Sequence, residues 1–220
     1  MKGILFKSEV LKAKLKVLEQ YGEAQTRRLD NLKEINKEPD NWRFVYQELN
    51  EFYFEPLDKH CIACVRKPRY REGEVVYIKE AWALDLRGVE PAGFERLLKY
   101  RSDGKQIIIP KAEYAWFDEA EKKEEYPYFW RSPMFLRAIF ARYFIQITNV
   151  RPERLQEITY EDVIAEGIIL DTLTRDANTS EAQAEFRVIW DSINPKYPWA
   201  SNPWVWDYTF KLVPKPEANR

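Results

Sequence analysis

The chain has few of the residues that usually mark a reactive centre. It contains one histidine, His60, and two cysteines, Cys61 and Cys64. A structural zinc site takes four ligands, so one Cys-x-x-Cys with a single neighbouring histidine leaves the set incomplete. A redox dithiol would have a strand before it and a helix after it, and Pro68 follows too closely for that helix. The two thiols therefore read as ordinary packed or surface groups, and no metal or other cofactor is expected. No run reaches 18 apolar residues, and the start, Met1-Lys2-Gly3-Ile4-Leu5-Phe6, lacks the apolar region of a signal peptide. No membrane partner is expected, and a cytoplasmic location is the default. Internal repeats and Gly/Ser-rich linkers are also missing, so residues 1–220 read as a single domain.

The charges nearly cancel. Lys and Arg number 35 against 36 Asp and Glu, for a net charge of -1, which argues against a surface coated for nonspecific binding to long nucleic acid. Basic residues cluster at Arg27-Arg28 and from Arg66 to Arg71, and Asp118 to Glu125 is acidic. Such runs are commonly solvated faces, although a local basic patch stays open. With 45% hydrophobic and 32% charged residues over 220 positions, the chain can bury a core without disulfides.

The pattern along the chain predicts alternating strands and helices. A short strand at Gly3 to Phe6 leads into a helix capped by Ser8, with Val10, Leu11, Leu15 and Leu18 on one face, Lys12, Lys14 and Lys16 on the others, and Gly22 as the stop. Gln25 to Arg28 follow as a polar loop. Residues 30–70 are loop-rich, with Trp42–Tyr46 and Phe52–Phe54 able to pair as a hairpin. Val75 to Trp82 reads as one buried strand, Ile107 to Ile109 as another after the Ser102-Asp103-Gly104 turn, and Tyr143 to Val150 as a third. The acidic, aromatic span from Pro110 to Trp130 reads as an inserted flap. Thr159 with Asp162 predicts a capped helix, stapled by Ile158 and Val163 and ended by Gly167. A second helix is expected from Ser180, with Gln183 completing a capping box and Phe186, Ile189, Trp190 and Ile193 facing inward. The tail from Trp204 to Leu212 alternates with period two, a half-buried strand. Strands and helices without regular βαβ alternation favour an α+β fold with a mostly antiparallel sheet.

Several blocks resemble the ASCH-domain proteins common in phages and prophages. They are Lys2 to Phe6, Gln25 to Arg28, Gly73 to Val75 with Lys79 to Trp82, Trp130 to Pro133, Thr148 to Gln156, Ala165 to Ile168, Trp190 to Asn194 and Asn202 to Trp206. These blocks keep the family's order; residues 30–70 and 110–128 are unlike it. The resemblance implies a PUA-like fold, a small closed β-barrel with flanking helices. It also implies a relationship to the small bacterial amidohydrolases that remove the acyl group from N(4)-acetylcytidine with a threonine, a glutamate and a lysine. Thr26 matches that threonine and Glu166 that glutamate. Glu23 stands where the family has its lysine, so the amine must come from another element, with Lys79 the first candidate and Lys7 the second.

On this resemblance the chain is expected to be an N(4)-acylcytosine or N(4)-acylcytidine amidohydrolase. Thr26 would attack or orient water, and Lys79 would act as base. Glu166 would protonate the departing amine with a pKa raised by burial, and backbone N–H groups of the Gln25–Arg28 loop would hold the oxyanion. Each residue also has a plainer reading. Thr26 could simply bond backbone, and Glu166, at a helix end where the dipole disfavours it, could be a surface carboxylate. Arg27 and Arg28 could depress a lysine pKa, hold phosphate or read a base edge. Glu80 is either paired with an arginine or a base-recognition group. Tyr77, Trp82 and Trp130 are core or stack on a pyrimidine. The alternative function is a non-catalytic reader of RNA or a modified nucleobase. A ribonuclease ranks last, because one histidine cannot make the usual acid–base pair.

Overall fold

The computed structural model describes residues 1–57, 64–87, 95–115, 130–168 and 179–217. They form two compact units: Met1–Lys12, Val76–Phe144 and Pro214–Arg220 in the first, and Ala13–Val75 with Ile145–Val213 in the second. The fold class is α+β, and among the described residues no sheet closes into a barrel.

In the first unit, strand β1 (Gly3–Leu5) runs parallel to β6 (Val75–Lys79), with Gly3 opposite Tyr77 and Leu5 opposite Lys79. Strands β7 (Trp82–Arg87), β8 (Glu95–Tyr100) and β9 (Gln106–Ile108) form an antiparallel sheet. Trp82, Leu98, Tyr100, Ile109, Leu136 and Phe140 are its core. The run expected to be one strand from Val75 to Trp82 is broken at Glu80-Ala81. The Glu80 carboxylate is buried and must reach its partners: Arg142 Nη2 lies 2.6 Å away, and the Ser102 hydroxyl donates at 2.7 Å. A buried charge left unmatched costs several kcal/mol, which these partners offset.

The second unit is built round β11 (Trp204–Val213), which lies between β10 (Phe144–Arg154) and β2 (Ala24–Arg28). β11 was expected to bury one face only. Its burial instead continues on both faces through Tyr208, taking in Val205 and Asp207, while Leu212 is 39% exposed. The hairpin expected within residues 30–70 is present as β3 (Trp42–Glu48) and β4 (Glu51–Pro56), extended by β5 (Cys64–Arg66). Phe52 and Phe54 of β4 meet Trp206 and Trp204 edge-on, at 4.8 and 5.2 Å between ring centroids. His60, Cys61 and most of the expected acidic flap lie outside the described residues. Cys64 is a half-buried free thiol on β5.

Three α-helices occur among the described residues: α1 (Ser8–Tyr21), α2 (Tyr160–Ala165) and α3 (Thr179–Ile193). The Thr159/Asp162 capping box forms as the spacing predicts, and Ile158 and Val163 are both buried beside it. The Gln183 side-chain amide donates to the carbonyls of Gln156 and Ile158, tying α3 to the segment before α2. No helix of the described residues is long and apolar enough to cross a membrane.

A candidate lysine–glutamate–threonine site on an edge strand

Residues 24–28, expected to be a loop, form β2, antiparallel to β11 with Thr26 opposite Tyr208 and Arg27 opposite Asp207. Among the described residues β2 ends its sheet in the second unit, so one of its edges has no strand beside it. An open edge leaves backbone donors and acceptors that need other partners when buried. Here two side chains supply them. The Lys14 ammonium donates to the Gln25 carbonyl, and the Glu166 carboxylate accepts from the Arg27 N–H at 2.7 Å. These are the backbone groups on either side of Thr26.

Lys14 sits inside the buried stripe of α1, three residues after Leu11 and four before Leu18. Only 1% of it is exposed, and its three donors find three oxygens: the Gln25 carbonyl, the Glu166 carbonyl at 2.9 Å and Glu166 Oε2 at 2.8 Å. The reading of Lys14 as a surface lysine is corrected by this placement. The usable signal in the sequence was its position in that apolar stripe.

Glu166 caps the C-terminus of α2, as its place before Gly167 suggested. The helix dipole disfavours a carboxylate there by ~0.3–1 kcal/mol, a penalty offset by Lys14 and Arg27. Gly167 closes the helix at φ +88°, a conformation that favours glycine, and α1 packs tightly against it. An added Cβ would lie 3.1 Å from both the Ala13 Cβ and the Lys14 backbone nitrogen.

Arg27 is buried among carboxylates. Its Nε meets Glu153 Oε1 at 2.6 Å, Nη1 meets Glu166 Oε1 at 3.3 Å, and Nη2 lies 3.2 Å from Asp162 Oδ2 without hydrogen-bond alignment. The guanidinium also stands over the Phe186 ring. So enclosed, it is not placed to hold a phosphate. Arg28 is half-buried and shares a face of β2 with Thr26, whereas Gln25 and Arg27 point to the other face. The Gln25 side chain accepts from Arg27 Nη1 at 3.4 Å.

The electrostatics follow from burial against paired charge. Burial pulls the Lys14 pKa down, and Glu166 offsets this only in part. Burial by itself pushes the Glu166 carboxyl up, but Lys14 and Arg27 together outweigh it and hold it below the ordinary carboxylate range. The expected raised pKa of Glu166 is thus reversed, and the group is a carboxylate at neutral pH. An oxyanion hole from the Gln25–Arg28 backbone meets a similar difficulty, because the Arg27 N–H already serves Glu166.

The other sequence candidates belong to the first unit. Lys79, expected to be the base, donates to the Met134 carbonyl at 2.8 Å and lies over the Tyr77 ring. The Tyr77 hydroxyl donates to the Leu136 carbonyl at 3.3 Å, and Trp82 is in the core. Glu80 takes the arginine-paired form of its two readings, with Arg142. Trp130 is 41% exposed, with Arg101 over its ring. Lys7 is exposed, directly before α1. No family model, no curated protein and no solved structure matches the chain.

Proposed function

We propose that the chain is an ASCH-type, PUA-like protein that removes the acyl group from N(4)-acylated cytosine or cytidine, using Thr26, Glu166 and Lys14. The observation that carries this reading is the pairing of a burial-depressed amine with an ionised carboxylate on the two backbone groups that flank Thr26, at one edge of β2. It supplies the amine that the family resemblance left missing at Glu23, from α1 instead of from Lys79. The Thr26 hydroxyl adds to the acyl carbon, and the Lys14–Glu166 pair takes its proton and passes it to the departing exocyclic nitrogen. Water then hydrolyses the threonyl ester, releasing the carboxylic acid and restoring the hydroxyl.

Incubation with N(4)-acetylcytidine, with cytidine release followed chromatographically, tests this. Wild type is expected to turn over, and Thr26→Ala and Glu166→Gln each to lose about 10²-fold or more in rate. Absence of turnover by wild type, or full turnover by both variants, would reject the reading. One observation favours a non-catalytic reader of RNA or a modified base: Thr26 is only 4% exposed. Salt-sensitive oligonucleotide binding without product would identify that case, with Arg28 rather than Arg27 facing the ligand.

A further inference from the structure

The ion pairs round Arg27 extend beyond the candidate site. Arg151 of β10 joins Glu153 at 3.1 Å, Asp162 at 3.4 Å and Asp207 at 3.0 Å, so one connected cluster holds the carboxylates of Glu153, Asp162, Glu166 and Asp207 and the cations of Lys14, Arg27 and Arg151. Arg28 of β2, half-buried, is a fourth cation acting on Lys14 and Glu166, so the charges match in number and the question is which carboxylate lacks donors. A buried carboxylate that finds no donor is expensive, and the usual outcome is that it keeps its proton.

The hydrogen bonds single out which group that is. Glu153 accepts from Arg27 Nε and Arg151 Nε, Asp162 from the Thr159 N–H at 3.1 Å, and Glu166 from the Arg27 N–H and Lys14. Asp207 is fully buried, and neither of its oxygens has a hydrogen-bond donor; Arg151 Nη2 comes close to Oδ2 but off the bonding line. The charged groups around it come from every packed element: Arg27 and Arg28 from β2, Arg151 and Glu153 from β10, Asp162 and Glu166 from α2 and its cap, and Lys14 from α1, with the Phe186 ring from α3 alongside. We propose that the Asp207 carboxyl is a proton store coupled to the Lys14–Glu166 pair through Arg27. Protonated, it leaves the Arg27 charge to Glu166; ionised, it competes for that charge.

Burial pushes the Asp207 carboxyl up to about 7, with Arg27 opposing and Glu153 adding to the shift, so the exchange falls in the physiological range. The regulatory meaning of this store rests on the proposed hydrolase site. The proton itself does not.

Carbon-detected NMR of the side-chain carboxyls in the substrate-free protein tests both parts, from about pH 5 to about pH 9. One aspartate carboxyl, assigned through bonds to residue 207, is expected to titrate with a midpoint near 7. The Glu166 carboxyl resonance should inflect at the same pH. Both steps should vanish in Asp207→Asn. The proposal is overturned if every aspartate finishes titrating below about pH 5, if the near-neutral step survives in Asp207→Asn, or if Asp207 titrates while Glu166 does not respond. Should Asp207→Asn not fold, the wild-type titration decides alone. Failure of N(4)-acetylcytidine hydrolysis would remove the hydrolase reading and leave these carboxyl titrations as they are.

Discussion

Replacing Lys14 by methionine is expected to destabilise the protein by about 3–5 kcal/mol, because it leaves Glu166 buried with one of its two cations gone. The Gln25 carbonyl on the open edge of β2 also loses its donor, a cost of about 1–3 kcal/mol already contained in that range. Arg27 still faces Glu166, which favours the lower end. The companion variant is Lys14→Met/Glu166→Gln. It removes the orphaned charge while keeping an amide oxygen that can accept from the Arg27 N–H, so it should lose less stability than Lys14→Met alone. Urea unfolding of the wild type, the single variant and the double variant measures the order. A single variant no less stable than wild type would mean that the pair contributes nothing to the edge of β2.

The second large effect is a fall in stability as pH rises, the opposite of the usual carboxylate behaviour. Asp207 holds a proton in the folded state up to about pH 7, whereas the unfolded chain releases it near the ordinary aspartate value of 3.8. Between those values the folded state binds more protons, so its contribution is full below the unfolded pKa and lost as pH rises through the folded one. Each unit of difference is worth about 1.4 kcal/mol, which makes the whole contribution roughly 4 kcal/mol at most. Asp162 and Glu166 act with the opposite sign. Burial raises each, yet Thr159 and Arg27 for the first, and Lys14 and Arg27 for the second, win and hold both below the ordinary range. Their contributions are lost only as pH falls through those depressed values, below the window in which Asp207 releases its proton. The urea midpoint is therefore expected to drop between about pH 4 and about pH 7 in wild type and to be flatter in Asp207→Asn. Equal slopes in the two proteins would assign the effect elsewhere.

Much of the second unit was legible in the sequence because local chemistry specified it. The capping box at Thr159, the stop at Gly167, the aromatic hairpin and the final strand each follow from spacing and turn residues acting over a few positions. What escaped depends on long-range pairing. β2 has the polar composition of a loop, and it is a strand because β11 pairs one edge while Lys14 and Glu166 close the other. Lys14 was hidden between Lys12 and Lys16, which are exposed, although its spacing from Leu11 and Leu18 put it in the apolar stripe. Asp207 sits on the nominally polar face of a strand that turns out to be covered on both faces, and nothing nearby in sequence reveals Arg27 and Arg151. Lys79, the first candidate for the missing amine on the family resemblance, has its amine satisfied by the Met134 carbonyl.

The most direct test of the site is the initial rate of cytidine release from N(4)-acetylcytidine by Lys14→Met and Lys79→Met side by side, at a temperature where circular dichroism shows both folded. If Lys14 is the working amine, its loss lowers the rate by about 10²–10⁴-fold, while Lys79→Met stays within about two-fold of wild type. A rate that survives without Lys14 and collapses without Lys79 would contradict the assignment.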